Sequence, residues 1–138
     1  MSGTLQKFFI GLMLLVLVGC GPAMETAKIL WGSSTRALEA ARSNAFRRDF
    51  SCDLDACYKE TLKIAELEKW EIFIKKRKEP MIVVMGIKGA VETTEVGIFF
   101  KSISAGRVEI AVTSLSTNAK RTAAETLFAE LANTFPEP

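Results

Sequence analysis

Histidine is absent from all 138 residues. The commonest general base and the commonest metal-ligating side chain are therefore both missing. No G-x-S-x-G turn, H-E-x-x-H pair, Gly-rich phosphate loop or G-x-G-x-x-G motif stands in for them. Neither sign of charge is in excess: 18 Lys plus Arg against 16 Asp plus Glu give a formal charge of +2. That balance supplies no electrostatic reason for nucleic-acid binding. Internal repeats and low-complexity segments are lacking as well. These absences predict a chain that is not an enzyme and that needs neither metal nor cofactor.

What the chain does have begins at its first residues. Lys7 is the only charged side chain before Phe8–Val18, an apolar run of eleven residues. A membrane-spanning helix needs about 20 such residues, so this run is too short to stay in a bilayer. A basic start, a short apolar middle and small residues at the end describe a secretory signal peptide. Leu17-Val18-Gly19-Cys20 further resembles the bacterial lipobox. The resemblance implies that residues 1–19 are removed and that Cys20 carries a diacylglycerol through its sulfur and an acyl chain on its amino group. Each buried methylene contributes about 0.8 kcal/mol, so two or three such chains make a stable anchor. The alternative is cleavage elsewhere, with Cys20 an ordinary thiol. Gly21, where an Asp would imply inner-membrane retention, favours the outer membrane facing the periplasm if the organism is Gram-negative.

Removal of residues 1–19 takes away one of the 18 basic residues and none of the 16 acidic ones, leaving +1. Residues 20–33 form a tether whose Ile29-Leu30-Trp31 packs on the domain or at the membrane interface. Residues 34–138 are long enough for one domain with one core. Cys52 and Cys57 lie in "FSCDLDACYKE". With Asp53 as N-cap and an acidic first turn, Cys52 takes position N′ and Cys57 position N4, the two that meet in a hydrophobic staple. Export places them where disulfides persist, so a disulfide is expected here, the alternative being two buried thiols.

Periodicity predicts the order α-β-α-β-β-β-β-α. A first helix covers "TRALEAARSNA" and a first strand "AFRRDFSC". The second helix runs from Leu54 to about Lys69, with Leu54, Tyr58, Thr61, Leu62 and Ala65 on one face. "WEIFIKK" and "MIVVMGI" are strands around "RKEP", and Met81–Val84, apolar on both faces, reads as a buried strand. "TEVGIFFKSI" and "RVEIAVTSL" make a hairpin. In the second of these, Val108, Ile110 and Val112 alternate with Arg107, Glu109, Ala111 and Thr113. A last helix starts near Asn118 with Ala123, Leu127, Phe128, Leu131 and Phe135 as its stripe. The expected class is α+β: an antiparallel sheet of four to five strands with helices on one face.

Two segments are candidates for binding. "KKRKEP", residues 75–80, suits anionic headgroups, or is a solvated hairpin tip. In "TSLSTNAKRTAAETLF", Ser116, Thr117, Asn118, Lys120 and Arg121 combine helix-start N–H groups, hydroxyls and two cations that oppose the helix dipole. They are either an anion site or ordinary capping with solvated basic residues. Ser116-Thr117-Asn118 also spells S-x-N, but the S-x-x-K and K-T-G partners of penicillin-binding proteins are missing. Through "DACYKETL", "WEIFI" and "SLSTNAKR", residues 50–132 resemble an uncharacterised bacterial α+β domain family, which brings no activity with it. The expected function is a non-enzymatic binding or assembly module on the envelope. Its partners would be the membrane through Cys20 and either an envelope protein or an anionic lipid or glycan. The alternative is a small-molecule or lipid carrier with a cavity between sheet and last helix, lined by Met81, Met85, Phe99, Phe100, Phe128 and Phe135.

Overall fold

Alternating apolar residues assemble five antiparallel strands: β1 Phe46–Phe50, β2 Glu71–Lys76, β3 Met81–Met85, β4 Val96–Ser104 and β5 Arg107–Ser114. These come from a computed structural model that describes residues 35–138. The leader 1–19, Cys20 and the tether 20–33 lie outside the described residues. Helix α1, Leu54–Leu67, joins β1 to β2, and helix α2, Thr117–Thr134, follows β5. The strand order is β1-β5-β4-β3-β2. The class is α+β, with helices packed against a five-stranded antiparallel sheet. Residues Ala37–Pro138 form one compact unit.

One face of the sheet carries the main core. Val108, Ile110 and Val112 of β5 join Val96, Ile98 and Phe100 of β4 and Ile82 and Val84 of β3. Against them pack Cys57, Tyr58, Ile64 and Ala65 of α1 and Ala123, Leu127, Phe128 and Leu131 of α2. The opposite face is smaller: Met81, Val83, Phe99 and Ala111 form a second cluster, covered by Leu38. Both long helices thus share one face, while the helical residues 35–40, continued as a 3-10 turn over Ala41–Asn44, lead to β1. Gly97 permits this second cluster. A Cβ there would stand 2.9 Å from Thr113 Oγ1, 3.0 Å from Phe99 Cε2 and 3.4 Å from Leu38 Cδ1.

Local chemistry sets the ends of α1. The Asp53 carboxylate accepts the Ala56 N–H at 2.7 Å, an N-cap as expected. Cys52 and Cys57, at N′ and N4, bring their Sγ atoms to bonding distance with Cα atoms 6.0 Å apart. At the other end Lys69 has φ 59°, the Trp70 N–H reaches Ala65 O at 2.8 Å, and the Lys69 N–H reaches Glu66 O at 3.1 Å. This is a Schellman stop in which lysine holds the left-handed position usually given to glycine. The buried Trp70 that follows secures it.

The β1–β5 ladder sets like charges opposite one another, Asp49 against Glu109. Directly opposed like charges are destabilising. Diagonal pairs relieve this. Arg107 Nε and Nη2 donate to Asp49 Oδ2 at 3.0 and 2.5 Å, and Arg47 donates to Glu109 at 3.2 Å.

Candidate functional site

Helix α2 begins as the sequence predicts, but its polar start is engaged in holding the fold. Ser116 is the N-cap: its Oγ accepts the Ala119 N–H at 3.2 Å, while its own N–H donates to Ser114 Oγ at 3.2 Å. Ser114 Oγ donates in turn to Glu95 O at 2.7 Å. Asn118 Nδ2 donates to Gly89 O at 3.2 Å, tying the helix to the loop before β4. Lys120 extends its ammonium to Asn44 O at 2.6 Å and lies 5.2 Å from the Phe46 ring centroid. Thr117 is exposed. Four of the five residues expected to form an anion site therefore flank the helix start without converging on one point. The fifth, Arg121, takes a different direction.

Arg121 borders a groove of about 380 Å³ between β1 and α2. Phe46, Arg47 and Arg48 form one wall, and Arg121, Glu125 and Phe128 the other. The small side chains of Ala124 and Ala129 leave the space between them. Strand alternation puts Phe46, Arg48 and Phe50 on the α2 side. Phe50 is buried and meets Phe128 at 5.9 Å between ring centroids, which backs the Phe128 ring from the core. Phe46 is 40 % exposed at the rim. The Arg48 guanidinium stands 5.3 Å from the Phe128 ring centroid and pairs with Glu137 at 3.2 Å. Arg47 is held by Glu109 and by Arg42 O. Arg121 pairs with no carboxylate among the described residues. The result is an aromatic surface bordered by arginines, of which Arg48 pairs with Glu137 and Arg47 with Glu109, with the Glu125 carboxylate on the wall that carries Arg121.

Two other features bear on the expectations. The six residues expected to line a carrier cavity do not come together. Met81 and Phe99 belong to the second cluster, while Phe100 and Phe128 belong to the main core, because neighbouring strand positions face opposite ways. Met81, Phe99 and Phe100 border a separate cavity of about 440 Å³ with Glu39, Arg42, Glu79 and Lys101, whose charges balance. Directly beneath α2 the space is filled: Leu127, Leu131, Ile110 and Val112 are all fully buried.

In the basic tip, Arg77 is not a free headgroup ligand. It pairs with Asp55 and covers the Tyr58 ring at 5.0 Å. Lys59, first, and Arg77 hold the Asp55 carboxyl below its ordinary range. Burial pushes the Tyr58 hydroxyl above its ordinary range, and that hydroxyl has no hydrogen-bond partner among the described residues. Lys75, Lys76 and Lys78 stay exposed.

From the sequence, Arg47 and Arg48 fall on a strand and belong to no site. The signal available was a pair of arginines beside an aromatic residue on a short strand of edge character. Among the described residues no group of three His, Cys, Asp or Glu side chains is placed to hold a metal ion. No helix among them is long and apolar enough to cross a membrane. Compared with known proteins, the chain matches no family model and no curated sequence.

Proposed function

We propose that this chain is a membrane-anchored envelope lipoprotein whose α+β domain is a non-enzymatic binding or assembly module, with the β1–α2 groove as its contact surface. The observation that carries the reading is the groove itself: aromatic side chains under arginines, with Arg121 lacking an acidic partner among the described residues. Aromatic and arginine side chains dominate the energetics of protein contacts because they combine large apolar area with directional donors. The anchor rests on Leu17-Val18-Gly19-Cys20, and the oxidised state of Cys52–Cys57 suits the same exported location.

A carrier is the second reading. The groove volume, about 380 Å³, lies within the range of small-molecule sites. The groove is partly open among the described residues, however, and the interior under α2 is packed, which supports contact with a macromolecule.

Two experiments test the proposal. Mass spectrometry of native protein should find a lipid-bearing N-terminal peptide starting at Cys20; an unmodified Cys20 sinks the anchor. Crosslinked pulldown of the acylated protein from its native envelope should recover a defined protein that Arg121→Glu loses. Recovery unaffected by that substitution removes the groove from the reading.

A further inference from the structure

The groove runs along a sheet edge. In the order β1-β5-β4-β3-β2, strand β1 is paired on one side only among the described residues. Open edges are templates for another strand, and proteins blunt them unless the edge is used. Residues 136 and 137 already show what this edge accepts. The Ser51 N–H, one residue beyond β1, donates to Pro136 O at 3.0 Å. The Glu137 carboxylate pairs with Arg48 at 3.2 Å. A backbone carbonyl on the strand edge with a carboxylate on a groove arginine is the bonding pattern of an extended acidic segment. Along an extended strand alternate N–H groups point to the same edge, so those of Asp49 and Arg47 continue the row that Ser51 begins.

We propose that the β1–α2 groove docks an extended acidic segment of a partner protein, added as a further strand on the outer edge of β1. Main-chain hydrogen bonds to Arg47 and Asp49 supply affinity and alternate side chains supply specificity, the division of labour in strand addition. Carboxylates on the α2 side meet Arg48 and Arg121, and an apolar side chain between them rests on Phe46 and Phe128. Residues 136–138 occupy one end of the site and compete with the incoming strand for Ser51 and Arg48. This inference rests on the reading of the groove as a contact surface and names the chemistry of the partner.

The test uses the full chain and a fluorescein-labelled peptide, Thr-Glu-Thr-Phe-Thr-Glu-Thr, with a control in which both Glu are Lys. Fluorescence anisotropy should show the acidic peptide binding at least about tenfold tighter than the control, with affinity falling as salt rises. Arg48→Glu and Arg121→Glu, each verified by an unchanged melting curve, should each lower affinity about tenfold. A chain ending at Phe135 should bind several-fold tighter, because Ser51 and Arg48 are released. Hydrogen exchange at the Arg47 and Asp49 amides should slow on binding. Equal binding of both peptides, indifference to Arg121→Glu, or binding without protection of those amides overturns the proposal. Capture by phosphatidylglycerol vesicles through Arg48 and Arg121, with no peptide binding, overturns it in favour of a lipid headgroup. If the envelope pulldown keeps its Arg121-dependent protein while the acidic peptide fails, the contact-surface reading stands and strand addition falls. If both fail, both fall.

Discussion

Reducing the Cys52–Cys57 bond should lower stability by an amount that the loop length sets. The two cysteines are five apart, so the bond closes a very short loop. For a loop of about six residues the chain-entropy relation gives about 2 kcal/mol at 25 °C. The native side adds little to that figure. Both cysteines are buried, and Asp53 already fixes the helix start by accepting the Ala56 N–H, so the helix keeps its cap after reduction. A loss of about 2 kcal/mol in a domain of this size lowers the melting temperature by about 8 °C or more. The assay is thermal and urea unfolding with and without a phosphine reductant, with a Cys52→Ala, Cys57→Ala variant as control. The wild type should shift on reduction and the double variant should not. Identical melting of oxidised and reduced wild type, or alkylation of both thiols in protein taken without reductant, refutes the reasoning.

Three further outcomes are expected. Lys120→Gln should cost about 0.5–1 kcal/mol, since it removes the contacts to Asn44 O and the Phe46 ring and regains only a few tenths from the helix dipole. Arg121→Gln should leave stability unchanged or slightly raised; urea midpoints of the two variants check this, and equal losses contradict it. Gly97→Ala should destabilise by about 1–3 kcal/mol because its Cβ meets Thr113 Oγ1 at 2.9 Å, and a change within the scatter of the melts contradicts that packing. Tyr58 is the only tyrosine, and burial raises its pKa above the unfolded value near 10. Its contribution is thus present below pH 10 and lost as pH rises through the higher folded value. The wild type should weaken at alkaline pH more steeply than Tyr58→Phe. At neutral pH that variant should equal or exceed the wild type by about 1 kcal/mol, since a buried hydroxyl with no partner among the described residues is gone. Parallel pH profiles contradict the assignment.

The elements were legible because their periodicities are local. Val108, Ile110 and Val112 turn inward as the alternation requires, and Asp53 and Ser116 cap where a short polar side chain precedes an apolar stripe. The order of strands was not legible. β1 pairs with β5, so its connection through α1 to β2 crosses the sheet from one edge to the other. Only that pairing brings Arg48 beside Phe128, 80 residues later, and so makes a groove. The same limit applies to charges. Lys120 reads from sequence as a cation opposed to the helix dipole, yet it reaches Asn44 O across the fold. Asp55 reads as a first-turn acid, yet Arg77 of the basic tip comes back to it. Side chains that act within one turn of helix declare themselves; those that act across the sheet do not.

The most direct test of the central claim is site-specific photo-crosslinking in the native envelope. A photoreactive side chain at Ala129, in the groove, is compared with one at Lys101, beside the cavity that Phe99 and Phe100 border. The account predicts a protein-sized adduct from position 129 that Arg48→Glu abolishes, and none from position 101. Adducts of equal yield from both positions, or only lipid-sized adducts from position 129, would contradict it.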